Sequence, residues 1–278
     1  MAENIHFPIL QDIAQDLSGE TNFPTSLDAA VMVRNTLHDP EVSLDQVARA
    51  IALEPLIASK LLRLANSVAY NPVGNSITDL KTAIARLGFE AVRTTSLAVA
   101  MDQIMKSKNL GTFDRFAKQT WEHSLQVAAT ARVLARRVGR VNPDEALLAG
   151  LVHDIGIFYL LYRAVDYDIY RNDEAAVIEL LIDWHESIGE NLLHALGLPD
   201  RIIDAVRRHD GPHEAVSPCN LRDVIYFANL LSGNGYEWLS DGANAIEPEN
   251  AAEIRERYAA LLEESADEMR ELRAALTA

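Results

Sequence analysis

The chain has 278 residues, room for one large domain or two ordinary ones, each with its own core. Its 25 basic against 41 acidic side chains leave a formal charge of −16, a field that repels phosphate backbones and anionic membranes and argues against direct reading of nucleic acid. No apolar run reaches the roughly 18–20 residues of a membrane span, no basic leader opens the chain, and Cys219 stands alone, so a reducing cytoplasm without membrane attachment is expected.

Helix signals recur along the chain and strand signals do not. Thr21 to Pro24 opens a stretch with Leu27, Ala30, Val31, Val33 and Leu37 at helical spacing, and His38-Asp39-Pro40 ends it, because proline disfavours helix in the residue before it. Ser43 with Gln46 reads as a capping box ahead of Leu44, Val47, Ala48 and Ile51. Pro55 sits where a first-turn proline belongs, and Asn66 to Asn75 reads as a polar loop. Leu80, Ala83, Ile84 and Leu87 form the next stripe, closed by Gly88 as C-cap. Lys106 to Thr112 is the most linker-like stretch, and a boundary is placed there.

A second set of helices follows. Phe113 to Val138 reads as one long helix, with Arg132, Arg136, Arg137 and Arg140 expected on a solvated face. Asn142, Pro143 and Glu145 start a helix that runs through Leu147, Leu148, Leu151 and Ile155. Glu174 to Ala195 holds a further helix or two, Pro199 starts another through Ile202, Ile203 and Val206, and Leu221 to Leu231 is strongly apolar. From Glu249 a last, acidic helix places Ile254, Tyr258, Leu261, Leu262, Met269, Leu272 and Leu276 on one stripe, expected to pack on the protein's own core.

Eight histidines punctuate these helices, and the pattern separates them. His153 and Asp154 are adjacent at the end of an apolar helix, about 100° apart around its axis, so both can flank one ion; a buried hydrogen-bonded pair is the competing reading. Gly156 behind them leaves room for another helix or a ligand. His123 shares a face with Phe116, Thr120 and Val127; His185 shares one with Ile188, Leu192 and Leu196. His209 follows the Ile202, Val206 stripe, whereas His194 is out of phase and His213 sits in a loop. Four inward imidazoles and one carboxylate suit a divalent transition metal.

These residues carry a resemblance. Glu122-His123 followed by Leu151-Val152-His153-Asp154-Ile155-Gly156 resembles the HD superfamily of metal-dependent phosphohydrolases. His38-Asp39-Pro40, the run Leu61-Leu62-Arg63-Leu64-Ala65-Asn66-Ser67 with Tyr70, and Ala83-Ile84-Ala85-Arg86-Leu87-Gly88 resemble its HDOD branch, the HD-related output domains, over roughly Phe23 to Gly233. The resemblance implies an all-α fold, an N-terminal helical bundle (1–108) packed on an HD-like helical bundle (109–246), with an acidic C-terminal helix (247–278) added. It implies a metal set of His123, His153 and Asp154, closed by an aspartate where this chain has Asn229. His185 and His209 resemble ligands for a second ion in related cyclic-dinucleotide phosphodiesterases. Ile157 replaces a basic residue often found after the His-Asp-Ile-Gly run, and Gln119 stands where an upstream acid is expected.

Asparagine offers a cation only a neutral carbonyl oxygen, so a divalent ion (Fe, Mn, Mg or Zn) is expected to bind weakly or not at all. The expected function is a bacterial signal-transduction output module with a degenerate metal site, acting on a signalling protein or a small nucleotide ligand. The alternative is a metal-dependent phosphohydrolase or phosphodiesterase on a nucleotide-like substrate. A homodimer is left open by the acidic C-terminal stripe.

Overall fold

The computed structural model describes residues 5–18, 27–106, 108–138, 140–211, 213–233 and 251–277, and among them no strand occurs. The start expected at Thr21 to Pro24 lies outside the described residues. In chain order the helices are α1 (Phe7–Ser18), α2 (Asp28–Leu37), α3 (Leu44–Ala52), α4 (Pro55–Ala65), α5 (Leu80–Leu87) and α6 (Phe89–Met105). A 3-10 segment, Lys108–Phe113, leads into α7 (Asp114–Arg137), α8 (Pro143–Val152), α9 (Ile155–Ala164), α10 (Asp168–Asn172) and α11 (Glu174–Ala195). Then come α12 (Asp200–Val206), α13 (Leu221–Ser232) and α14 (Ala251–Thr277).

The local signals act as expected at several ends. Ser43 and Gln46 form the reciprocal capping box of α3. Asn142 caps α8 through Asp144 N–H, with Pro143 in the first turn. Gly88, at φ +81°, ends α5 in the left-handed region and lets α6 start at once. Two expectations change in detail. Glu174–Ala195 is one unbroken helix. The helix begun at Pro143 stops at Val152, and Ile155 opens the next one, because the chain turns at His153-Asp154.

Two cores result. Val33, Ile51, Ile57, Leu61, Ile84 and Val92 fill the smaller one, between α2 and α6. Leu125, Leu148, Phe158, Leu180, Ile203 and Phe227 belong to the larger one. Each such fully buried side chain contributes about 1.5–3 kcal/mol relative to exposure. Helix α6 serves both, giving Val99 to the first core and Leu97 and Met101 to the second. Leu110, in the linker-like stretch, is buried in the larger core. By length and composition Pro143–Ala164 is apolar enough to cross a membrane, yet 89% of that apolar window is buried inside the protein, where α8 and α9 form its centre.

The C-terminal helix packs inward, with Ile254, Tyr258, Leu272 and Leu276 buried. Its docking corrects the expectation of a solvated basic face at Arg132 alone, while Arg136, Arg137 and Arg140 are exposed as expected. Arg132 is buried: its guanidinium lies 4.5 Å from the Tyr70 ring centroid and bonds Glu268 at 2.5 Å and Asp144 at 3.1 Å. Arg136 pairs with Glu268 at 2.8 Å and Arg137 with Glu264 at 2.9 Å. The basic run is a dock for the acidic helix, a partner separated from it by more than a hundred residues and therefore invisible to a local reading of the charge pattern.

Candidate metal centre

Close helix contacts set the site. A Cβ on Gly150 would lie 2.7 Å from Ala128 Cα, so the glycine lets α8 sit directly on α7. A Cβ on Gly156 would lie 2.0 Å from the His185 carbonyl oxygen and 2.8 Å from Gly189 N, so α9 and α11 touch backbone to backbone. The first contact brings His123 of α7 towards His153 at the end of α8. The second brings His185 of α11 towards Asp154. After α12, Arg208 adopts a left-handed conformation at φ +54°, which turns the chain back so that both His209 and Asp210 reach the cluster.

Asp154 is the hub, with a side chain almost fully enclosed. Its Oδ2 lies 2.9 Å from His153 Nε2 and 3.9 Å from His123 Nε2. Its Oδ1 lies 3.0 Å from His209 Nε2 and 3.9 Å from His185 Nε2. Each carboxylate oxygen thus faces its own pair of imidazoles. The predicted residues His123, His153, Asp154, His185 and His209 all converge. Asn229, on α13, joins them: its Oδ1 lies 2.9 Å from His123 Nε2 and its Nδ2 donates to Asp210 Oδ1 at 3.1 Å. His194 points away and is half exposed; His213 pairs with Asp223 at 2.8 Å.

Backbone carbonyls orient the rings. His153 Nδ1–H donates to Gly150 O at 2.7 Å, His185 Nδ1–H to Leu181 O at 2.7 Å, and His209 Nδ1–H to Val206 O at 3.0 Å. The three Nε2 atoms are thereby turned to the centre, the tautomer that a metal ligand needs. His153 Nε2 and His185 Nε2 are buried and make no hydrogen bond of good geometry, although carboxylate oxygens lie 2.9 and 3.3 Å away. Orphaned buried nitrogens beside a carboxylate are the donor set of a divalent cation, and the residues present fit one.

Electrostatics divide the cluster. Burial holds His123 neutral, aided by His153, and brings its pKa down to about 4. Burial opposes charge on His209 as well, but Asp210 and Asp154 outweigh it and push that ring up to about 10. His185 is raised for the same reason, burial being outweighed by Asp210 and Asp154. Asp154 and Asp210 are both held well below the ordinary carboxylate range: burial works against their charge, and the imidazoles around them prevail. Without a cation, protons on His185 and His209 balance the two carboxylates.

Two residues escaped the sequence reading. Asp210 lies 3.3 Å from His185 Nε2 and 3.6 Å from His209 Nε2, and Glu186 lies 3.9 Å from His209 Nδ1. Ligand atoms of His185, Glu186, His209 and Asp210 all lie within 4.8 Å of one another, as do those of His123, His153 and Asp154. A signal existed: His153-Asp154, His185-Glu186 and His209-Asp210 each place an acid directly after a site histidine.

The HDOD domain family matches residues 23–212. An uncharacterized protein of Treponema pallidum is 24% identical over 213 residues, covering 71% of this chain and 40% of that protein. Ribonuclease Y of Fervidobacterium nodosum is 28% identical over 141 residues, covering 50% of this chain and 24% of the ribonuclease. The chain therefore spans less than half the length of either relative. A solved structure from Shewanella amazonensis, provisionally named a metal-dependent phosphohydrolase, superposes with a TM-score of 0.71 at 21% identity, covering 98% of this chain and 99% of that one. At that identity the likeness is one of fold.

Proposed function

Because the chain belongs to the HDOD family, we propose that it is a signal-transduction output module built around a divalent-metal centre, acting by binding a signalling protein or a small nucleotide ligand. The observation that carries the metal is Asp154, with two imidazoles facing each oxygen and two buried Nε2 atoms left without hydrogen bonds. His123, His153 and Asp154 would hold one ion, with Asn229 supplying a neutral oxygen, and His185 and His209 would serve a second. The reading as a binding module is favoured by Ile157. It lies buried in the apolar core, so the position after the His-Asp-Ile-Gly run contributes no cation to hold a phosphate.

A phosphohydrolase is the second reading, and the exposed edge of the cluster at Asp210 favours it, since a substrate could approach there. When bound, a divalent ion supplies Lewis acidity towards a phosphoryl oxygen. Asp154, His123 and His153 would fix its position, and His185 and His209 would serve as second-ion ligands or as acid/base groups.

Metal analysis of protein purified without chelator tests the centre, and bis(p-nitrophenyl) phosphate turnover in the presence of Mn²⁺ separates the two readings. Bound metal without turnover is the expected result. Turnover abolished by His153→Ala overturns the binding-only reading, and absence of any bound Mn²⁺, Fe²⁺ or Zn²⁺ overturns the metal centre.

A further inference from the structure

The two halves of the centre are chemically unlike. One half holds His123, His153 and Asp154 Oδ2, with the Asn229 carbonyl oxygen beyond, so its formal charge comes from the shared carboxylate alone. The other holds His185, His209 and Asp154 Oδ1 together with Asp210, a further carboxylate, while Glu186 lies on the Nδ1 side of His209 and adds charge at the edge. Each carboxylate sets a full negative charge against a cation, whereas an imidazole that has given up its proton, or a side-chain amide, sets only a dipole.

Each half keeps one buried imidazole nitrogen without a hydrogen bond, His153 Nε2 in the first and His185 Nε2 in the second, and His209 Nε2 is held by Asp154 at 3.0 Å. His123 Nε2 and Asn229 Oδ1 are 2.9 Å apart, so the imidazole donates to the amide oxygen and these two ligand atoms are engaged with each other, while His153 Nε2 stays open. In the other half, His185 Nε2 is buried without a hydrogen bond, its side chain only 7% exposed. Asn229 turns its Nδ2 to Asp210 Oδ1 and so braces the carboxylate from behind. Access comes through the acids: the imidazoles of both halves are at most 7% exposed, whereas Asp210 is 41% exposed and Glu186 33%. An ion from solvent meets the acidic half first.

We infer that Asp210, not residue 229, supplies the second acid of this centre, and that the first divalent ion is captured by His185, His209 and Asp210 with Asp154, Glu186 adding only nearby charge, ahead of the His123–His153 half. This rests on the reading above that the centre holds a divalent cation. It also inverts what the motif suggests, since the signature His-Asp pair then completes the site that fills second.

Calorimetric titration of the chelator-treated full chain with Mn²⁺ tests it, alongside Asp210→Asn, Glu186→Gln and His123→Ala. Asp210→Asn is expected to weaken the tighter binding event at least tenfold, Glu186→Gln to weaken it less, and His123→Ala to leave it within about twofold. A crystal soaked with one equivalent of Mn²⁺ should show its anomalous peak beside His185 and His209. Tight binding lost in His123→Ala and kept in Asp210→Asn, or a peak beside His123 and His153, overturns the inference while leaving the metal centre intact. Wild-type protein that binds neither Mn²⁺ nor Zn²⁺ overturns both. Far-ultraviolet circular dichroism of each variant separates a lost ligand from a lost fold.

Discussion

Asn229 donates its side-chain N–H to Asp210 Oδ1 at 3.1 Å, so the uncharged residue at the position where an aspartate was expected is tied to an acid nineteen residues earlier. Restoring the expected residue with Asn229→Asp places a second carboxylate against Asp210 and removes that donor. The metal-free variant should lose roughly 0.5–1.5 kcal/mol of stability in urea denaturation, the net worth of a half-exposed hydrogen bond. Added Mn²⁺ should then raise its Tm by more than it raises that of wild type. Equal metal-induced shifts in the two proteins count against this account.

Gly156 is held between the His185 carbonyl and Gly189 N, with no room for a methyl group. Gly156→Ala should cost about 1–3 kcal/mol by forcing α9 and α11 apart. It should also lower bound metal per chain, because His185 leaves the cluster with α11. Full stoichiometry in a destabilised Gly156→Ala protein would mean that this helix contact does not position the ligand.

The pH dependence of the metal-free protein follows from two rings shifted in opposite directions. His123 is depressed to about 4, so between that value and about 6.5 the unfolded chain binds more protons, and stability rises with pH there. His209 is raised to about 10, so between about 6.5 and 10 the native state binds more protons, and stability falls as pH rises. Urea denaturation of chelator-treated protein should therefore show a maximum near pH 6.5. A cation must displace the protons on His209 and His185, so Mn²⁺ affinity should climb with pH and binding should release protons into a weakly buffered solution. Affinity independent of pH between 6 and 9 contradicts both statements.

Arg132 joins α7 to the start of α8 and to α14 through Asp144 and Glu268. Arg132→Met leaves the buried Glu268 carboxylate short of one partner and should cost about 3–5 kcal/mol. Adding Glu268→Leu should recover much of that loss, because two apolar side chains need no compensation. Limited proteolysis should cut near α14 faster in the single variant than in wild type or the double variant.

Arg208 carries the positive φ that returns the chain to the centre. Arg208→Gly, which adopts that conformation freely, should keep or raise stability by up to about 1 kcal/mol with metal content unchanged, whereas a β-branched Arg208→Val should lose about 1–2 kcal/mol. Chemical denaturation of the two variants side by side reads the difference.

Much of the fold was written locally. The Ser43–Gln46 capping box, the Asn142-Pro143 start and the Gly88 stop act within a few residues, and each occurs where the sequence placed it. The convergence of His123, His153, His185 and His209 on Asp154 was legible because each lies on the apolar stripe of its helix or follows it. Asp210 and Glu186 were not, for physical reasons: Glu186 follows an inward histidine within α11, about 100° off its stripe, and reads as surface, and Asp210 lies in the turn beyond α12, where no helical stripe reaches. His38-Asp39 and His213-Glu214 show the same dipeptide away from the centre, so the pattern alone discriminates poorly. The burial of Arg132 was hidden because its partner Glu268 is 136 residues away, beyond any helical period.

Helix α8 has ten residues, a rod of about 15 Å. Asp144 in its first turn receives bonds from both Tyr70 and Arg132, and its last turn runs straight into His153 and Asp154. Clasped on Ala128 through Gly150, it has no slack to absorb a push. A displacement of the loop around Tyr70, or of the acidic helix from Arg132, would therefore act on the same rod whose far end leads into His153 and Asp154.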